Sequence, residues 1–269
     1  MSEATAIGRP SAAGIYDYHL GGAANGAADR VAAERLMALC PEVVDAVWAN
    51  RGFLQRAVRW LTERYGVRQF LDLGAGLPTQ RHTHEVVADA GADGRVVYVD
   101  NDRRVVDRGL TILSGLADTA MIHADIREPD EVLGHPHTQR LIDPDQPVGL
   151  LLVSVTQFLL DTDDPWGVVR RYLQRAAAGS WLVLSALTRD GQADRIAAAL
   201  LEIYEQTATP VTFRTRAAVD RFFDGLEIVP PYQRADPMVT YVGRWGAEDP
   251  AGSDGDGSRW FYAAVARKP

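Results

Sequence analysis

The chain has 269 residues, and 46% hydrophobic with 24% charged residues is the composition of a globular protein with one substantial core. A net charge of −8 offers no general basic face for nucleic acid, and Cys40 as the single cysteine excludes an internal disulfide or a cysteine-built zinc cage. With no basic-then-apolar leader and no segment of membrane-spanning length, a cytoplasmic protein without membrane or nucleic-acid partners is expected.

Residues 1–14 are small and polar and are expected to be disordered. A helical cap is expected over 15–66. Asp29 can cap a helix that runs to about Leu39, and Pro41 suits the first position of the next. Val43, Val44, Val47, Leu54, Val58 and Leu61 then recur at helical spacing until Gly66.

Over 67–269 the pattern changes to strands alternating with helices. Strands are expected at 69–73, 95–99, 120–123, 148–155 and 181–186, and helices at 79–90, 103–116 and 164–178. A loop rich in Pro, His and Asp precedes the fourth strand. Helices over 192–206 and 216–223, a short strand at 227–229 and a last strand at 260–266 complete the chain. Near-continuous apolar strands alternating with helices predict a parallel, doubly wound α/β sheet covered on both faces.

In such a sheet the loops after the strands converge at one edge, where ligands bind. Asp72-Leu73-Gly74-Ala75-Gly76 ends the first strand, and a Gly-x-Gly turn there brings backbone N–H groups close to a ligand. Thr79 stands where a dinucleotide fingerprint has its third glycine, and Asp72 would repel a pyrophosphate. Both argue against a nicotinamide cofactor. An acid at that position suits a cationic ligand, and S-adenosylmethionine carries an ammonium and a sulfonium. Asp100, ending the second strand, can accept from both ribose hydroxyls. Asp125 with Ile126, after the third, can take the adenine amine and ring face, and Ser154 and Gln157 follow the fourth. Singly, each Asp is also an ordinary turn former; their succession at consecutive strand ends points to a ligand.

These words resemble a known family. Tyr16-Asp17-Tyr18-His19-Leu20-Gly21-Gly22 with Asn25, Ala49-Asn50-Arg51, 70–79, His84-Glu85-Val86, 97–102 and Ala124-Asp125-Ile126-Arg127 are similar to the actinobacterial S-adenosylmethionine-dependent methyltransferases formerly grouped as a domain of unknown function. The resemblance implies a class I methyltransferase (Rossmann-like) fold of seven strands, the last antiparallel. It implies S-adenosyl-L-methionine as cofactor, held by Asp72, Gly74, Ala75, Gly76, Asp100, Asn101, Asp125, Ile126 and Ser154. The acceptor is expected to be a small molecule; the alternative is a catalytically silent protein that binds the cofactor as a sensor or partner-binding module. Related sequences often have His where this chain has Gln157, and an amide cannot take a proton from an acceptor.

Tyr16, Tyr18, His19, Asn25, Asn50, Arg51, His84 and Gln157 are candidates for a lid or substrate site, with Gly21-Gly22 as hinge or point of close approach. Arg51 falls on the apolar stripe of its helix, so it either pairs with a structural carboxylate or reaches the ligand edge. Tyr16 and Tyr18 either cover the ligand or pack the cap. No metal site is expected, since His82 and His84 point to different helix faces. His135 and His137 flank Pro136 in a loop, a weak arrangement for a metal.

Overall fold

The computed structural model describes residues 8–269. The expected disorder at the N-terminus falls outside the described residues for 1–7. Beyond them the chain is ordered earlier than expected: Ser11 accepts the Gly14 N–H at 3.0 Å and caps α1 (Ala12–His19). Helix α2 (Ala27–Leu39) is capped from its third position, where Asp29 accepts the Gly26 N–H at 2.7 Å and reaches back to the Ser11 N–H at 2.7 Å. Pro41 lies in the turn before α3 (Val43–Tyr65), which Gly66 terminates in the left-handed conformation.

There follow β1 (Gln69–Leu73), α4 (Thr83–Asp89), β2 (Arg95–Asp100), α5 (Arg103–Ile112) and β3 (Thr119–His123). Helix α4 begins later than the sequence suggests, because Gln80 and Arg81 both have positive φ and cannot be helical. The Pro- and His-containing segment is not a plain loop. Pro129 and Pro136 each take a first-turn position and open the short helices α6 (Pro129–Gly134) and α7 (Pro136–Leu141). Strand β4 (Gly149–Val153), α8 (Pro165–Arg175), β5 (Trp181–Leu187), α9 (Asp194–Tyr204) and α10 (Arg216–Asp220) lead to β6 (Glu227–Ile228), β7 (Thr240–Tyr241) and β8 (Phe261–Arg267).

The sheet runs β3-β2-β1-β4-β5-β8-β6, with β7 also on β8. Strands β1 to β5 pair in parallel, and β8 is antiparallel to β5, β6 and β7. Eight strands replace the expected seven because the outer edge is in two pieces, β6 and β7, that pair with opposite ends of β8. The order reverses between β1 and β4, and a crevice opens there at the carboxyl ends of the strands.

The segment 15–66 has no core of its own. Phe53, Ala57, Val58 and Leu61 of α3 share one apolar cluster with Phe70, Leu151, Val183 and Val265 of the sheet, and Ile15 and Leu36 belong to it too. The opposite face is covered by α6, α7, α8 and α10 through Val132, Leu141, Tyr172 and Val219.

A polar chain pins this first layer to the strand ends. Asn50, with 0% exposure, donates to Tyr16 Oη at 2.8 Å and accepts from Ser185 Oγ at 2.6 Å, which itself accepts from the Ser154 N–H at 2.9 Å. Asn50→Ala should strand the buried Ser185 hydroxyl and cost about 2 kcal/mol. For a chain of this size that is a loss of several degrees in Tm, roughly 2–4 °C per kcal/mol. Thermal unfolding checks it; an unchanged Tm would show the chain to be energetically idle.

Candidate active site

At the end of β1 the backbone turns at Gly74 with φ of 69° and again at Gly76 with φ of 65°. A Cβ on Gly74 would overlap the side chain of Val155, so the turn fits between strand ends only as bare backbone. Its N–H groups are not free, contrary to the expectation from the motif. Those of Gly74 and Ala75 donate to the Val99 carbonyl at 2.8 and 3.0 Å, and that of Gly76 donates to Asp100 Oδ2 at 3.0 Å. The turn therefore gives a ligand close approach rather than a nest of donors.

Asp72 is 2% exposed beneath this turn and accepts from Thr83 Oγ1 at 2.8 Å. Burial drives its pKa up to about 7, opposed by the Thr83 bond and the Arg51 charge and reinforced by Asp100. His82 Nδ1 lies 3.5 Å from Asp72 but accepts the Thr83 N–H at 2.9 Å, so that nitrogen carries no proton and the pair is not ionic. Burial also holds the His82 pKa well below its ordinary value.

Asp100 ends β2 with each oxygen held by backbone: Oδ2 by Gly76, and Oδ1 by the Asp102 N–H at 2.9 Å. Each oxygen keeps a further lone pair for a ligand. Burial raises its pKa. Asp125 follows β3 and is not a free acceptor, because Arg127 Nη2 donates to Oδ2 at 2.6 Å and Nε to Oδ1 at 3.0 Å. Desolvation works against its charge, but Arg127 outweighs it and the pKa is lowered. After β4, Ser154 takes φ of 58°.

These strand ends enclose a cavity of about 550 Å³. Asp72, Gly74, Ala75, Gly76, Asp100, Asn101, Asp125, Ile126 and Ser154 all line it. Of the lid candidates, Tyr16 and Arg51 line it; Tyr18, His19, Asn25, Asn50, His84 and Gln157 do not. Tyr18 Oη donates to Glu34 at 3.0 Å on α2. His19 is buried with neither ring nitrogen hydrogen-bonded, and burial lowers its pKa to about 4. His84 Nδ1 lies 2.7 Å from the hydroxyl of Tyr98, a fully buried side chain of β2. Gln157 donates to Ser154 Oγ at 2.8 Å and to the Ser154 carbonyl at 2.9 Å.

The sequence reading missed Asp17, the hub of the N-terminal motif. It is 2% exposed and accepts from the Ala24 N–H at 3.0 Å, Asn25 Nδ2 at 2.9 Å and Thr79 Oγ1 at 2.6 Å. The last bond ties α1 to the loop after β1. A Cβ on Gly22 would run into the Asp17 carboxylate, so this glycine serves close approach. His82, Phe158, Tyr204 and Pro210 also line the cavity without any local sequence signal. Among the described residues no group of three or more His, Cys, Asp and Glu is placed to hold a metal. His135 accepts the His137 N–H at 3.2 Å as a helix cap. No described helix is long and apolar enough to cross a membrane.

The 3-2-1-4-5 strand order, the antiparallel β8 and the crevice above Gly74 define a class I methyltransferase fold. The chain belongs to the S-adenosyl methyltransferase family, which it matches over residues 2–269, and S-adenosylmethionine is the methyl donor of that family. A DUF574-family protein of Streptomyces avermitilis is 34% identical, with 97% of this chain and 98% of that one aligned at a TM-score of 0.87. A Thermobifida fusca protein is also 34% identical, over 97% and 95% of the two chains, at 0.86. The plantazolicin methyltransferase BamL, solved with a desmethyl-plantazolicin analogue and S-adenosylhomocysteine, is 8% identical and shares the fold, at 0.52 over 96% of each chain. No curated protein matches the sequence.

The raised pKa of Asp72 predicts how stability depends on pH. Below about pH 4 the carboxyl is protonated whether folded or unfolded, and its contribution is fully present. As pH rises through about 7 the folded protein must ionise a buried group that the unfolded chain ionised earlier, so stability falls. Between pH 5 and 8 the wild-type Tm should fall more than that of Asp72→Asn, which keeps the Thr83 acceptor. Equal slopes in the two proteins would reject the assignment.

Proposed function

We propose that the protein transfers the methyl group to a small-molecule acceptor bound in the same cavity, by aligning the acceptor rather than deprotonating it. The observation that carries this reading is that Tyr16, Phe158 and Tyr204, which line the cavity with Ser154, and Gln157 behind Ser154 offer no proton acceptor. Tyr16 Oη is spent on Asn50 and on the Val47 carbonyl at 3.2 Å, and burial raises the pKa of Tyr16 and of Tyr204. Both phenols stay protonated at neutral pH. The ring of Phe158 packs on that of Tyr204 at 5.7 Å, and Gln157 is turned onto Ser154. None of these takes a proton. Confinement and water exclusion by α1 and the segment 204–210 are what the chain contributes there.

The residues present fit the cofactor. The turn Gly74-Ala75-Gly76, bare of side chains at its two glycines, would lie against its amino-acid part, with Asp72 answering the positive charge. The spare lone pairs of Asp100 would accept from the ribose hydroxyls. Ile126 and Asn101 border the adenine position, where Asp125 presents an edge shared with Arg127. Bound there, S-adenosylmethionine supplies a methyl group on a cationic sulfur that needs no further activation.

Removing the Asp100 carboxylate with Asp100→Ala should weaken S-adenosylmethionine by roughly tenfold or more, as for lost hydrogen bonds to a charged group. Calorimetry on the folded variant measures it, and an unchanged Kd would reject the role. Release of S-adenosylhomocysteine in the presence of pooled metabolites tests the acceptor class. Turnover with nucleic acid or folded protein alone would overturn the small-molecule reading.

A further inference from the structure

Arg51 is a buried charge without a counterion. It sits on α3 with 5% exposure and lines the cavity. Its one hydrogen bond runs from Nη1 to the Thr79 carbonyl at a long 3.3 Å, and its guanidinium lies 5.8 Å from the centre of the Tyr16 ring. Among the described residues no carboxylate comes within ion-pair distance of it. Asp72 feels its charge, but with a pKa raised to about 7 its carboxyl is only partly ionised near neutral pH and it forms no ion pair with Arg51. Tyr16 Oη is committed to Asn50 and Val47. A desolvated guanidinium with an open planar fork is costly unless an anion completes it.

The anion has to suit the rest of the cavity. Asp72 and Asp100 line the floor, so a phosphate would meet two acids. A ligand that satisfies both regions carries positive charge toward Asp72 and a carboxylate toward Arg51, which is the charge pattern of a zwitterionic amino acid. We infer that Arg51 is the subsite for the α-carboxylate of the cofactor's amino-acid end, gripping it through its guanidinium fork. This rests on the cofactor position proposed above.

Comparing S-adenosylmethionine with its decarboxylated form, which keeps the sulfonium, the amine and the nucleoside, tests this by calorimetry. Wild type should bind the decarboxylated form roughly tenfold to a hundredfold more weakly, the range for charged hydrogen bonds. Arg51→Gln should weaken S-adenosylmethionine by a similar factor and leave the decarboxylated form nearly unchanged, closing the gap. Arg51→Lys, a point charge without the fork, should restore only part of it. Equal affinity of wild type for the two ligands overturns the inference without requiring any variant to fold. Equal loss of both ligands in Arg51→Gln also overturns it, since that is the signature of a structural role. A wild type that binds neither ligand would instead count against the cofactor position.

Discussion

At Gly74 the space between the ends of β1, β2 and β4 is wide enough for a bare backbone and nothing more. Val155 closes on Gly74 from one side, and the Val99 carbonyl takes the N–H groups of Gly74 and Ala75 from the other. The crevice above stays open because the chain passes its tightest point, at Gly74, without a side chain. A positive φ at Gly74 and Gly76 sends the following residues away from the sheet rather than into a helix, and Gln80 and Arg81, also at positive φ, postpone α4 further. The long loop so formed carries Thr79, which Asp17 grips at 2.6 Å. Floor and roof of the cavity are thus consequences of one tight turn.

The charges of the cavity follow from the same enclosure. Three carboxylates end successive strands, yet only Asp125 has a cation of its own, and it alone has a lowered pKa. Burial raises the other two. Asp72 and Asp100 are held at a free-energy cost that a positively charged or hydroxyl-bearing ligand would offset. Arg51, which lines the same cavity, has the opposite deficit. The cavity lining thus holds two acids without a cation partner and a guanidinium without an anion partner.

Much of the fold was legible because a parallel sheet writes itself in apolar runs. β1 is where the run 69–73 put it, and each strand-ending acid marks a cavity wall. The sequence was less informative where structure depends on pairing rather than composition. The two-residue β6 and β7 exist only because β8 offers them an edge. α6 and α7 hide in a stretch whose prolines read as loop, although proline also opens helices. The N-terminal motif was visible as a cluster, but its internal order was not. Asp17 looks like any helix-surface acid until Gly22 and Asn25 from the turn after α1, and Thr79 from 62 residues further on, close around it. Tyr18, His19 and Asn25 belong to the motif because they build the roof's scaffold, which sequence proximity does not separate from its lining.

Arg51 draws its precision from the helix that carries it. Its neighbours Phe53, Leu54, Ala57 and Val58 are core residues shared with the sheet, so α3 cannot move without disturbing the main cluster. Asn50, one residue earlier, is bonded to α1 on one side and to β5 on the other. A guanidinium on such an element is fixed relative to the turn after β1 before any ligand arrives, and little entropy is lost when an anion meets it. The break in the apolar stripe of α3, a flaw when read as packing, places a charge where the fold is most rigid.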